Sequence, residues 1–117
     1  MKTNKELKEE YKQKKLPAGV FQIRNTVNGK IFIDSSTTLN TVYNRHKVTL
    51  NFGSHVNAEL QKEWKEFGED KFVYEILGEI KQSDDDSIDL AKEARQLKEM
   101  YIEDLKPFGE KGYHKKV

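Results

Sequence analysis

Residues 19–36, GVFQIRNTVNGKIFIDSS, read as two β-prone runs, Gly19 to Asn25 and Lys30 to Ser35, on either side of the dipeptide Asn28-Gly29. That dipeptide tolerates the positive φ angles of a tight turn better than any other, so the stretch predicts an antiparallel hairpin. Phe21 and Phe32 lie eleven positions apart. Side chains alternate along a strand with period two, so a hairpin whose loop has an even number of residues puts both rings on one face of the sheet.

Downstream, Thr37 and Thr38 offer N-cap hydroxyls for a helix to about Asn51, with Leu39, Val42, Tyr43, His46 and Leu50 at helical spacing and Gly53 as its stop. A second helix, about Asn57 to Phe67, carries Leu60, Trp64 and Phe67, with Gly68 as C-cap. Lys71 to Ile80 alternates as a third strand. After the acidic run Gln82 to Asp86, a last helix from about Ser87 to Leu105 puts Leu90, Ala94, Leu97, Tyr101 and Leu105 on one stripe before Pro107 and Gly109. Upstream, Lys5 to Lys15 reads as a lysine-rich helix stopped near Pro17, which disfavours helix in the residue before it. The order α, β, β, α, α, β, α predicts an α+β domain with a small three-stranded antiparallel sheet flanked by helices. Residues 1–16 are expected to form a peripheral arm and residues 17–117 the domain.

The chain has 117 residues, enough for one domain with a real core, and its 12 aromatics offset an apolar share of only 35%. Cysteine is absent, which excludes disulfide frameworks, thiolate zinc sites and cysteine nucleophiles. With no apolar run resembling a signal peptide and no stretch of 18 apolar residues, the expected location is the cytoplasm, away from any membrane. Charge is uneven: residues 79–104 hold nine acids and four bases, against 11 acids and 17 bases elsewhere, although the net charge is +1. Such a distribution permits a polyanion-binding face, while a 35% charged composition is also met in plain solvated surfaces. No P-loop, dinucleotide glycine pattern or HExxH is present, which leaves those enzyme classes without a foothold.

The hairpin carries a recognisable pattern: Gly19-Val20-Phe21, ten residues, then Phe32-Ile33-Asp34. It resembles the GIY-YIG nuclease family, in its phage homing-endonuclease branch. SHVNAELQKEWKEFGEDKFVYEIL, beginning at Ser54, is similar to that family's middle helix and third strand, and LKEMYIEDLKP with Gly112-Tyr113 to its ending. The resemblance spans residues 18–114 and implies a nuclease acting on DNA, using Mg²⁺ or Mn²⁺ if active, with no organic cofactor. A catalytically silent module binding nucleic acid or a protein partner on the same fold is the alternative.

Family positions are occupied unevenly. The two motif tyrosines match Phe21 and Phe32, which have no hydroxyl to donate, accept or ionise. The expected arginine matches Val42, with Arg45 following at i+3. The metal-binding glutamate matches Lys98, and an ammonium cannot ligate a divalent cation; the neighbouring Glu99 lies about 100° around the helix. The motif glycine matches Asp34, and the closing asparagine matches His114. His46 and His55 stand where this branch carries histidines. The resemblance therefore makes Phe21, Phe32, Arg45, His46 and His55 the candidate site. Either histidine would be the base, Arg45 and His55 the DNA-contacting groups, and the metal ligand is unassigned. Each also has a plain reading: hairpin packing for the phenylalanines, a hydrogen-bonded core position for His46, a solvated base for Arg45. Asp84, Asp85 and Asp86 suit the start of a helix better than a metal site.

Overall fold

The computed structural model describes residues 17–80 and 89–115. The lysine-rich helix expected over 5–15 and the acidic run 82–86 lie outside them. Three strands, β1 (Gly19–Asn25), β2 (Ile31–Ser36) and β3 (Phe72–Glu79), form an antiparallel sheet in the order β2-β1-β3. Three helices flank it: α1 (Val42–Phe52), α2 (Ala58–Phe67) and α3 (Leu90–Leu105).

The hairpin turn is longer than the tight turn expected. Gly29 N–H donates to the Asn25 carbonyl at 2.8 Å and Asn25 N–H to the Lys30 carbonyl at 2.9 Å, so residues 26–29 form the loop and β2 starts at Ile31 rather than Lys30. Of the pair Asn28-Gly29, only the glycine takes a positive φ, +78°. The even loop keeps the expected parity: Phe21 pairs with Asp34 and Ile23 with Phe32, so these four side chains share a face.

β3 pairs with β1 through a bulge. Val20 faces Gly78 while Phe21 faces Ile76, which leaves Leu77 unpaired and ends the regular alternation of the strand. Its carbonyl instead accepts from the Tyr101 hydroxyl of α3 at 2.9 Å. Gly19 beside this bulge has φ +158°, and a Cβ there would collide with the Gly78 carbonyl, so this first motif glycine is required by close backbone approach.

Helix α1 begins at Val42, later than the threonine caps predicted. Val42 N–H donates to the Thr38 carbonyl at 3.0 Å, and the Thr38 hydroxyl accepts from Arg45 at 2.7 Å instead of capping. Leu39 therefore enters the core from a turn, where its carbonyl takes the Tyr74 hydroxyl at 2.6 Å. Gly53 closes α1 in the left-handed conformation. Helix α2 is capped by the Asn57 side chain, which accepts from Leu60 N–H at 2.9 Å. Helix α3 begins behind Asp89, which accepts from Lys92 N–H, and ends at Lys106 before Pro107.

Phe21, Ile23, Phe32, Leu39, Val42, Leu50, Leu60, Trp64, Phe72 and Tyr113 make one core against α1 and α2. Helix α3 packs on β1 and β2 through the fully buried Ala94. The chain beyond α3 folds back along the free edge of β2: Gly112 bridges Ile31, and Tyr113 N–H donates to the Ile31 carbonyl at 3.0 Å. No described helix is long and apolar enough to cross a membrane.

Candidate active site

Phe32, 7% exposed, stands at the centre of the site. All three histidines of the chain surround its ring: His46 at 5.7 Å between centroids, His55 at 5.5 Å, and His114 at 5.4 Å, stacked within 5° of parallel. Their positions follow from local structure. Val42 points into the core from α1, and His46 one turn on meets both Phe32 and Phe21, the latter at 5.4 Å. His55 follows the left-handed Gly53 and is fixed by its own backbone N–H, which donates to Gln61 Oε1 at 3.0 Å. His114 arrives with the segment that covers the β2 edge.

The hydrogen bonds assign the tautomers when the rings are neutral. Asn57 N–H donates to His55 Nδ1 at 3.0 Å, so His55 carries its hydrogen on Nε2. That hydrogen is directed to His46 Nδ1 at 2.8 Å, which leaves the His46 hydrogen on Nε2. Ile33 N–H donates to His114 Nε2 at 2.8 Å, so His114 carries its hydrogen on Nδ1. Every imidazole lone pair is thus occupied. Burial pushes all three below the ordinary imidazole value, His46 further by its neighbour His55 and His114 further by Lys98, while Asp34 acts in the opposite sense on each. At neutral pH the cluster presents N–H donors rather than a free base.

Arg45 is exposed and held by Thr38 at the mouth of an open cleft of about 710 Å³, where it meets His46, His55, Ser35, Ser36 and, from α3, Arg95. Among the described residues the cleft lining includes no carboxylate. Val42 is buried at its base. Beside the histidine cluster, Lys98 Nζ lies 3.6 Å from Asp34 Oδ1, both side chains about one third exposed, and the same oxygen accepts Ser35 N–H at 2.8 Å.

The structure therefore brings Phe21, Phe32, His46 and His55 into contact and sets Arg45 at the rim. Sequence reasoning missed Arg95, and it treated Asp34, Lys98 and His114 only as departures from a pattern. Strand parity was the available signal for Asp34, two residues from Phe32, and the i, i+3 spacing of Arg95 and Lys98 the signal for the α3 wall.

No model of a known protein family matches the chain. It is 32% identical over 65 residues to intron-associated endonuclease 1 of Enterobacteria phage T4, a match covering 56% of this chain and 26% of that protein. Among solved structures it superposes on the catalytic domain of homing endonuclease I-TevI with a TM-score of 0.67 at 26% identity, covering 82% of this chain and 95% of that one. A mutant form of the intron endonuclease I-TevI catalytic domain gives 0.66 at 25% identity, with 78% and 86% covered. The resemblance to the GIY-YIG nuclease family holds. The GIY-YIG-like fold, with its three-stranded antiparallel sheet flanked by helices, is the one the hairpin predicted. The chain spans about a quarter of the length of the phage endonuclease it matches.

A divalent cation, which the resemblance implies, does not fit the side chains at this place. Mg²⁺ requires oxygen donors. The GIY-YIG glutamate position holds the Lys98 ammonium, and the neighbouring carboxylate of Asp34 is ion-paired with it. Among the described residues no group of three His, Cys, Asp or Glu side chains converges as a metal site.

Proposed function

We propose that this chain is a GIY-YIG-type nuclease domain that acts on DNA in the cytoplasm, with phosphodiester hydrolysis much weakened. The domain is read as residues 17–117, and the lysine-rich residues 1–16 lie outside the described residues. The observation that carries this reading is the cleft, which Arg45 and Arg95 line together with the His46–His55 pair, with no acid among the described lining residues. Two guanidiniums and an imidazole N–H suit the oxygens of a phosphate. Weak hydrolysis follows from the occupied lone pairs: a water attacking phosphorus must give up a proton, and His46 can take it only after its bond with His55 breaks. General acid and base assistance contributes typically 10²- to 10⁴-fold, and that is the factor at risk.

A second reading, a silent module that binds through the same face, is favoured by the same occupied nitrogens. Incubation with supercoiled plasmid, with and without Mg²⁺ or Mn²⁺, beside a DNA titration at several salt concentrations, separates the two. Slow nicking lost in Arg45→Ala supports the nuclease. Salt-sensitive binding with no nicking selects the silent module, and absence of both overturns the assignment to DNA.

A further inference from the structure

We infer that Lys98, Arg95 and Arg45 form a phosphodiester-binding site that takes DNA without a divalent cation, Lys98 exchanging its contact with Asp34 for a phosphate oxygen. This inference rests on the reading of the cleft as a DNA site and specifies how that site is charged.

Three observations support it. Arg95 and Lys98 stand at i and i+3 on α3, so their side chains are neighbours on the helix surface, and Arg95 already lines the cleft opposite Arg45. The contact between Lys98 and Asp34, 3.6 Å and one third exposed, is looser than the 2.7 Å pairs made by Lys30 with Glu59 and by Arg24 with Glu75. A loose, half-solvated pair exchanges its carboxylate for a phosphate at little cost. Third, the charge balance points to an anion. Among the described residues, Arg45 from α1 and Arg95 and Lys98 from α3 outnumber the carboxylate of Asp34 from β2, and the partly buried histidines carry their hydrogens on His46 Nε2 and His114 Nδ1.

Asp34 has a definite part in this arrangement. Free of its partner it would repel phosphate, and paired with Lys98 it holds the ammonium beside the histidine cluster until a phosphate arrives. The site thus carries its cation covalently on α3, where a carboxylate would need to borrow one from solution.

The test is fluorescence anisotropy of a short labelled DNA duplex against the full chain over a range of salt concentrations, in EDTA and in millimolar Mg²⁺. Native protein should bind in EDTA at least as tightly as in Mg²⁺, which competes for the same phosphates. Lys98→Gln should weaken binding several-fold and lower the slope of log K against log salt by about 0.9, the value for one phosphate contact. Asp34→Asn should tighten binding. Lys98→Glu, which sets two carboxylates side by side, should lose binding in EDTA and gain a Mg²⁺-dependent rise in melting temperature that the native chain lacks. If Lys98→Gln does not fold, as judged by circular dichroism, Arg95→Gln takes its place with the same expected change in slope.

Native binding that requires Mg²⁺, or Lys98→Gln and Arg95→Gln with unchanged slope, overturns the cation-independent site. In those cases loss of binding in Arg45→Ala leaves the DNA reading standing. Native protein that binds no DNA in either buffer overturns both.

Discussion

A buried histidine gives up its proton more readily than one in water, and this chain partly buries all three of its histidines, with His114 also beside Lys98. The consequence for stability has a sign. Below the ordinary imidazole value of about 6.5 the unfolded chain binds protons that the native cluster refuses. The contribution is therefore fully present above about pH 6.5 and is lost as pH falls through the lowered native values. Glu75, held below the usual carboxylate range by hydrogen bonds from Arg24 and Gln22, loses its contribution only at more acid pH, so the two effects separate. Urea midpoints should stay level above neutrality and decline from pH 6.5 toward 5. His114→Gln, which keeps an acceptor for the Ile33 N–H, should flatten that decline, and Asp34→Asn, which removes the one opposing charge, should steepen it. A midpoint indifferent to pH over this range would contradict the neutral cluster.

At the scale of elements, the hairpin turn is fixed to α2 by one buried carboxylate. Glu63, 7% exposed, accepts from the Asn25 side chain at 3.4 Å and from the Asn28 side chain, and Lys30 Nζ lies 3.6 Å away. Asn25 also donates to the Tyr113 hydroxyl at 3.1 Å, so turn, helix and C-terminal segment meet at one point. Burial raises the Tyr113 hydroxyl well above its usual value, which keeps it neutral and able to donate. Glu63→Ala removes the shared acceptor and leaves a buried amide hydrogen of Asn25 unpaired, at a cost of about 1–3 kcal/mol. Chemical denaturation should read that loss; an unchanged free energy of unfolding would show that water replaces the carboxylate freely.

The same elements show what was legible in the sequence. Local rules found both strands of the hairpin, the glycine stop of α1 and the Asn57 to Gly68 limits of α2, because each depends on residues a few positions apart. Parity placed Phe21 and Phe32 together, and it would have added Asp34. The start of α1 was misplaced because Arg45, seven residues from Thr38, takes the hydroxyl that the cap would use. The stacking of His114 on Phe32 depends on a bond between residues 33 and 114, and no local signal announces a segment closing on a strand edge. Edge coverage of this kind removes a row of unpaired backbone groups, so its cause lies in the sheet and not in the segment.

For the molecule as a whole, the site draws on β1, β2, α1, the loop after Gly53, α3 and the C-terminal segment, so none of these can leave without dismantling it. Charge follows the same plan: α3 lies largely within the acidic stretch 79–104, yet its charged residue at the cleft is Arg95, and the neighbour one turn on is Lys98. Contacts between distant parts of a chain form and break together in a domain of this size, and that favours a single cooperative transition. Two reporters stand on different elements of the structure. Trp64 on α2 packs on Phe72 at 4.9 Å and donates to Asn51 at 2.9 Å, while the His114 ring lies over Phe32 at the β2 edge. Fluorescence of this single tryptophan and the ring resonances of His114 should lose their native values at the same urea concentration. Earlier loss at His114 would mean that the C-terminal segment opens on its own, exposing Phe32 and the β2 edge while the core of α1, α2 and β3 stays folded.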